Sequence, residues 1–245
     1  MNTRRWRKVL SGSFTMTRGR LVGGAAAFLA VALMGLLSSP TRVKATPGDD
    51  RDDHDASKIR IGYDVAPVRL DLAGKDWALV GLGSYLVNVQ AGCNDCHSAG
   101  PQSQYPPGGN PYFGQPAKVN PATYLGGGRD FGQLAAGSPF TVHIISRNLT
   151  PDKTGRPEGG HTFEQFLQIM RTGVDMDHLH PNCLPMETAN CLPPPFDGAL
   201  LQIMPWPEYQ NLTDRDLRAV YEYLKAVPCV EGPADPTNPL HNDCK

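Results

Sequence analysis

Hydrophobic positions recur at helical spacing in three stretches of the 245-residue chain and fade between them. Leu79, Leu82, Leu86 and Val89 lie three or four apart, the interval that aligns side chains on one helix face, and this stripe runs directly into Cys93. A second stripe, Phe163, Phe166, Leu167 and Met170, begins beside Thr162 and Gln165, which are spaced to form a capping box. Gly173 suits its end. The third stripe is Leu217, Val220, Tyr221 and Leu224. Thr213 caps it, Asp214 and Asp216 complement the positive N-terminal end of the helix, and Pro228 stops it. From residue 98 to 139 the chain is crowded with Gly and Pro, which opposes long helices and central strands. One β-branched run, residues 141–145, predicts a short strand that pairs within this loop region. The pattern predicts a mostly α fold: a helical bundle with a long Gly- and Pro-rich insertion over 98–142 and a short β-hairpin.

Charge changes the picture at the N-terminus. Residues 1–45 hold eight Lys or Arg and no Asp or Glu, and several of these bases precede an apolar run of 17 residues, 21–37. Small residues follow at 43–45, so the segment reads as a secretory signal and places the rest of the chain in the periplasm. If retained, the run would act as an N-terminal membrane anchor, a little short of the ~20 residues of a typical spanning helix. Beyond residue 45 there are 15 basic residues against 24 acidic ones, a net charge near −9 that weighs against a nucleic-acid partner. Residues 46–57, with the run Asp49-Asp50-Arg51-Asp52-Asp53-His54-Asp55, look too polar to bury anything and read as a solvated linker. The chain thus divides into a signal (1–45), a flexible acidic linker and lead-in (46–75), a central domain (76–228) and a C-terminal tail (229–245).

Cys93-Asn94-Asp95-Cys96-His97 is a Cys-x-x-Cys-His sequence, the spacing at which two thiols reach both vinyl groups of one haem and the next imidazole reaches its iron. A zinc knuckle would need a second close Cys or His pair, and a thioredoxin-like dithiol would need a preceding strand; neither accompanies the motif. The cofactor predicted is therefore one covalent haem c on Cys93 and Cys96, with His97 as the proximal ligand.

A sixth iron ligand must come from elsewhere. Met170 lies on the apolar stripe of its helix, and Met176 and Met186 sit in loops with no motif around them. Met204 stands in Ile203-Met204-Pro205-Trp206-Pro207, where two prolines limit the loop's conformations and Trp206 is placed to help cover the haem. Met204 is the predicted distal ligand. The rival ligands are His143, His161, His178, His180 and His241. Four cysteines remain, Cys183, Cys191, Cys229 and Cys244, and an oxidising compartment favours disulfides among them. Three connectivities are open. The local solution, Cys183 with Cys191 and Cys229 with Cys244, would staple the loop before Met204 and pin the tail.

These residues resemble the class I cytochrome c family. The likeness is carried by the Gly83-Ser84-Tyr85-Leu86-Val87 helix, the Cys93–His97 motif, Met204-Pro205-Trp206-Pro207, and the helix from Leu212-Thr213-Asp214 to Tyr223-Leu224-Lys225. The middle, Asn148-Leu149-Thr150-Pro151-Asp152-Lys153-Thr154-Gly155 and Met170-Arg171-Thr172-Gly173, is similar to the cytochrome subunits of periplasmic alcohol, gluconate and sorbitol dehydrogenases. The resemblance implies His97 and Met204 as axial ligands and a crossing of the first and last helices beside the haem. Those subunits carry three haems; this chain has a single attachment motif. Arg147 is a candidate partner for a haem propionate. With both axial positions filled, the expected function is electron transfer, as a soluble or anchored shuttle or as an accessory subunit, and not catalysis by the chain itself. Its partners would be redox proteins: a dehydrogenase, an oxidase or another cytochrome. The alternative is a haem enzyme or gas-binding sensor with an open distal site.

Overall fold

The computed structural model describes residues 49–134, 142–183 and 190–245. The signal assigned to residues 1–45, and Met186, lie outside them.

Helix α1 (Asp49–Val65) occupies most of the stretch expected to be a flexible linker, and this is the main correction to the sequence reading. Its second half carries Ile59, which is buried, and Tyr63, which packs against the core. Asp55 pairs with Arg215 of the last helix. The acidic run is one end of a docked helix. The lead-in after it is fastened as well: Val68 and Leu70 pack on the core, and Asp71 N–H donates to Ala226 O at 2.8 Å.

Helix α2 (Trp77–Tyr85) is capped by Asp76, whose carboxylate accepts from Ala78 N–H and Leu79 N–H. It is buried on nearly every side because α1 and the last helix, α4 (Asp214–Leu224), pack against it. Glycines permit both approaches. A Cβ on Gly62 of α1 would stand 1.9 Å from Gly81 O, and one on Gly83 would stand 1.9 Å from Ala219 O of α4. Ser84 Oγ donates to Gly62 O at 2.6 Å and seals the first contact. The second is closed by a buried polar triad, in which Tyr124 OH donates to Asn88 Oδ1 at 2.6 Å and Asn88 Nδ2 donates to Tyr223 OH at 3.1 Å. The helices before and after the long insertion therefore meet directly.

Helix α3 (Phe163–Thr172) has the predicted capping box: Thr162 N–H donates to Gln165 Oε1 at 2.8 Å, and Gln165 N–H donates to Thr162 Oγ1. Phe166 and Met170 join the main core with Leu82, Leu86, Leu217, Val220 and Leu224. Strand β2 (His143–Ile145) pairs antiparallel with β1 (Asp130–Gln133), with an irregularity between the paired ends. The rest of the insertion consists of loops and single turns, including Pro101–Gln104 and Pro111–Phe113. The observed class is mostly helical with one two-stranded sheet.

Two disulfides join Cys183 to Cys191 and Cys229 to Cys244. The second holds the tail across the Asn148–Asp152 segment, where Asn242 Nδ2 donates to Thr150 Oγ1 at 3.0 Å and Asn148 Nδ2 to Val230 O at 3.0 Å. That segment is a structural clasp.

Candidate functional site

At the end of α2 the chain changes pitch. Residues Leu86–Gln90 form a π turn closed by Ala91 N–H donating to Leu86 O at 2.8 Å. The extra residue shifts the helix phase, which is why Val89, placed on the apolar stripe by its spacing, is exposed while Val87 is fully buried. Gly92, in the left-handed conformation, then admits a single turn, Cys93–Cys96, and His97 N–H donates to Cys93 O at 2.9 Å. This turn sets both cysteines on one face with His97 just beyond. They are the unpaired cysteines of the chain. Burial pushes the Cys93 thiol up to about 12, so it is held as a protonated thiol. A structural zinc site takes four ligands, and among the described residues no group of three or more His, Cys, Asp or Glu is placed to hold a metal ion.

The His97 ring is held from behind. Its Nδ1 lies 2.8 Å from Arg147 O; with the proton donated to that carbonyl, Nε2 is left as the nitrogen with a lone pair. Burial pulls the imidazole below its ordinary range and keeps it neutral, the state in which it can ligate. Gly127 fixes the distance between the two partners. Its N–H donates to His97 O at 3.0 Å, and a Cβ there would stand 2.5 Å from the carbonyl carbon of Arg147. The Arg147 guanidinium is bound to Asp175 and Asp177, each at 2.6 Å. Arg147 gives its carbonyl to His97 and its charge to two carboxylates.

A cavity of about 390 Å³ brings Cys93, Cys96, His97 and Met204 together. Phe131, Ile144 and Ile145 from the sheet region form part of its wall, with Phe166, Val220 and Leu224 from α3 and α4 elsewhere in the lining. Met204 is partly buried against the core. Its loop is constrained: Ile203 has φ 69°, Met204 N–H donates to Gln202 O at 2.7 Å, and Trp206 N–H donates to Met204 O at 2.8 Å. Trp206 does not take the covering role expected of it. Its indole lies on Gly173 at the end of α3, so close that a Cβ there would stand 2.1 Å from the ring, and it is not part of the cavity lining. Met170 lines the cavity from the core as well.

Of the rival histidines, His180 alone lines this cavity among the described residues, with Nδ1 3.2 Å from Asn190 O. His143 is paired with Asp130 at the strand edge, His161 is buried against Glu158 O, His178 is exposed, and His241 contacts Pro233 O in the tail. The sequence reading missed the sheet residues, Tyr209, Glu158 and Asp175 as cavity neighbours. An aromatic such as Phe131, isolated in a Gly-rich loop, was the one available signal. Two unpaired thiols, a neutral imidazole with its tautomer fixed and a thioether, all facing one largely apolar space, fit the needs of a covalently attached haem.

No family profile matches the chain, and no solved structure does. Among curated proteins it is similar to the fructose dehydrogenase cytochrome subunit of Gluconobacter japonicus, 28% identical over 156 residues, which is 63% of this chain and 23% of that protein. It is likewise 28% identical over 152 residues to the cytochrome c subunit of the quinone alcohol dehydrogenase of Gluconobacter oxydans (strain 621H), covering 61% of this chain and 21% of the relative. A third relative, one of the subunits of nicotinate dehydrogenase from Pseudomonas putida, is 31% identical over 118 residues, or 46% of this chain and 8% of its own length. The matched stretch spans less than a quarter of each relative, and what it supports is a cytochrome c-like relationship.

Proposed function

We propose that the chain is a single-haem c-type cytochrome that carries single electrons in the periplasm, in company with a dehydrogenase or a respiratory acceptor. The observation that carries this reading is the gathering of Cys93, Cys96, His97 and Met204 about one cavity. Cys93 and Cys96 would tether the haem, and His97 and Met204 would hold its iron. When bound, the haem supplies a metal that cycles between two oxidation states one electron apart.

The chain's own residues do the rest. Arg147 O and Gly127 fix the His97 ring so that ligation need not reorder it. The apolar wall of Phe131, Ile144, Phe166 and Leu224 keeps water away and limits solvent rearrangement on electron transfer. A thioether in the sixth position favours the reduced metal and raises the potential relative to two imidazoles. Met204 is assigned this position over His180 because its loop is already ordered by two prolines and by backbone bonds on both sides. The excess of acidic residues beyond position 45 would bring the chain to basic faces of its partners, with association that weakens as salt rises.

The relatives named as cytochrome subunits of dehydrogenases support the accessory-subunit form of this reading. Carbon monoxide added to the reduced, purified protein tests it against the open-site sensor. A closed six-coordinate iron gives little or no spectral change, whereas prompt binding would overturn the carrier assignment.

A further inference from the structure

Glu158 stands apart from the other carboxylates near the site. It is buried, 8% exposed, on a backbone with φ 53°, a conformation that residues other than glycine seldom adopt. Among the described residues its carboxylate has neither a hydrogen-bond partner nor an ion pair. The residue is buried as a whole while its carboxylate oxygens are free of any such protein partner, which leaves them to the cavities that Glu158 lines. This location suggests a role. Glu158 lines the cavity that holds His97 and Met204, and it also lines a second cavity of about 270 Å³. Arg147 and Leu179 share both walls. The second cavity is bounded by the exposed residues Gly159, Asp177 and Pro236, and so it opens to water. Among the described residues Glu158 is thus the acidic residue that lines both the redox cavity and the one open to water; Glu208, at the exposed rim of the first cavity, lines that one alone.

We propose that Glu158 is a redox-linked protonation site, taking up a proton from solvent through the second cavity when the metal gains an electron and returning it when the electron leaves. This rests on the haem reading above. The step is balanced: a one-electron donor, the reduced centre of a partner protein, supplies the electron, water supplies the proton, and one O–H bond forms on the carboxylate. Oxidation by the acceptor reverses both movements.

The surroundings favour this role. Burial raises the Glu158 carboxyl above its ordinary range, against the pull of His161 and Arg147, while Asp177 and Asp175 push the same way as burial. Arg147 is already bound to those two aspartates, and His161 Nε2 is 3.7 Å from Asp177. His180 faces the first cavity and His241 the second. Reduction removes one positive charge from the redox cavity, which raises the carboxyl further and draws in the proton. The sign follows from linkage: the midpoint potential falls as pH rises through the Glu158 range and is level on either side of it.

Spectroelectrochemical titration of the matured full chain across pH tests this, with covalent haem verified on the same sample. Wild type is expected to show the sloping segment. Glu158→Gln, permanently neutral, is expected to lose the slope and stay at the wild type's acid-side potential. Should the Gln variant not fold, Glu158→Asp keeps the acid on a shorter stem and is expected to move the sloping range along the pH axis. A flat wild-type profile overturns the inference, as does a slope that persists unchanged in Glu158→Gln or a range unmoved in Glu158→Asp. Holoprotein with a flat profile defeats this inference alone; a sample without covalent haem brings down the functional reading and this inference together.

Discussion

The two sides of the cavity are built differently. On the Cys93 side the chemistry is contiguous: one turn presents both thiols, and the next residue presents the imidazole. That turn is fastened to α2, which α1 and α4 grip through close glycine contacts. On the Met204 side a loop of irregular backbone brings its thioether from 107 positions further along, stapled upstream by Cys183–Cys191 and ended by the cap of α4. A side built on a helical crossing resists change until it breaks, whereas a side built on a loop can lose one function while the fold survives. The proximal side should therefore govern whether the protein forms, and the distal side what its metal does.

The largest effect is expected at His97. His97→Ala removes the proximal ligand, and the matured protein should lose its low-spin haem absorption completely. A variant with an unchanged spectrum would remove His97 from the site.

Next in size is the crossing behind it. Gly83→Leu places a side chain where even a Cβ would meet Ala219 O at 1.9 Å. Denaturant titration should show a loss of about 3 kcal/mol, the upper end for overpacking.

Met204→Ala should leave folding and attachment intact, lower the midpoint potential and let the reduced protein bind carbon monoxide. If Met204→Ala is silent and His180→Ala produces these changes, the distal ligand is His180.

Removing the Cys183–Cys191 staple with paired serines should cost about 2 kcal/mol in stability. Met204 ligation should survive at low temperature. Smallest is Arg215→Ala, which loses a half-exposed ion pair to Asp55 and should cost about 0.5 kcal/mol.

What the sequence revealed follows the same division. Local rules predicted α3 and α4 because their caps are local: Thr162 bonds Gln165, and Thr213 Oγ1 accepts from Asp216 N–H. The attachment turn was legible because its residues are consecutive. Helix α1 was not, since a run of aspartates was weighed as solvation when its decisive features were position at a helix end and a glycine contact with α2. Val89 was misplaced because a π turn breaks the spacing on which a stripe depends. The prolines around Met204 correctly marked a constrained loop, but the direction of Trp206 depends on Gly173, 33 positions earlier. Arg147 and Glu158 had no local signature, because their roles arise only when loops far apart in sequence close over the cavity.

The most direct measurement is the intact mass of the purified, matured protein. The expected mass is that of the polypeptide plus one haem, with the haem retained under denaturing conditions and absent when Cys93 and Cys96 are both replaced by alanine. A matured wild-type chain carrying no added haem mass would contradict the haem reading.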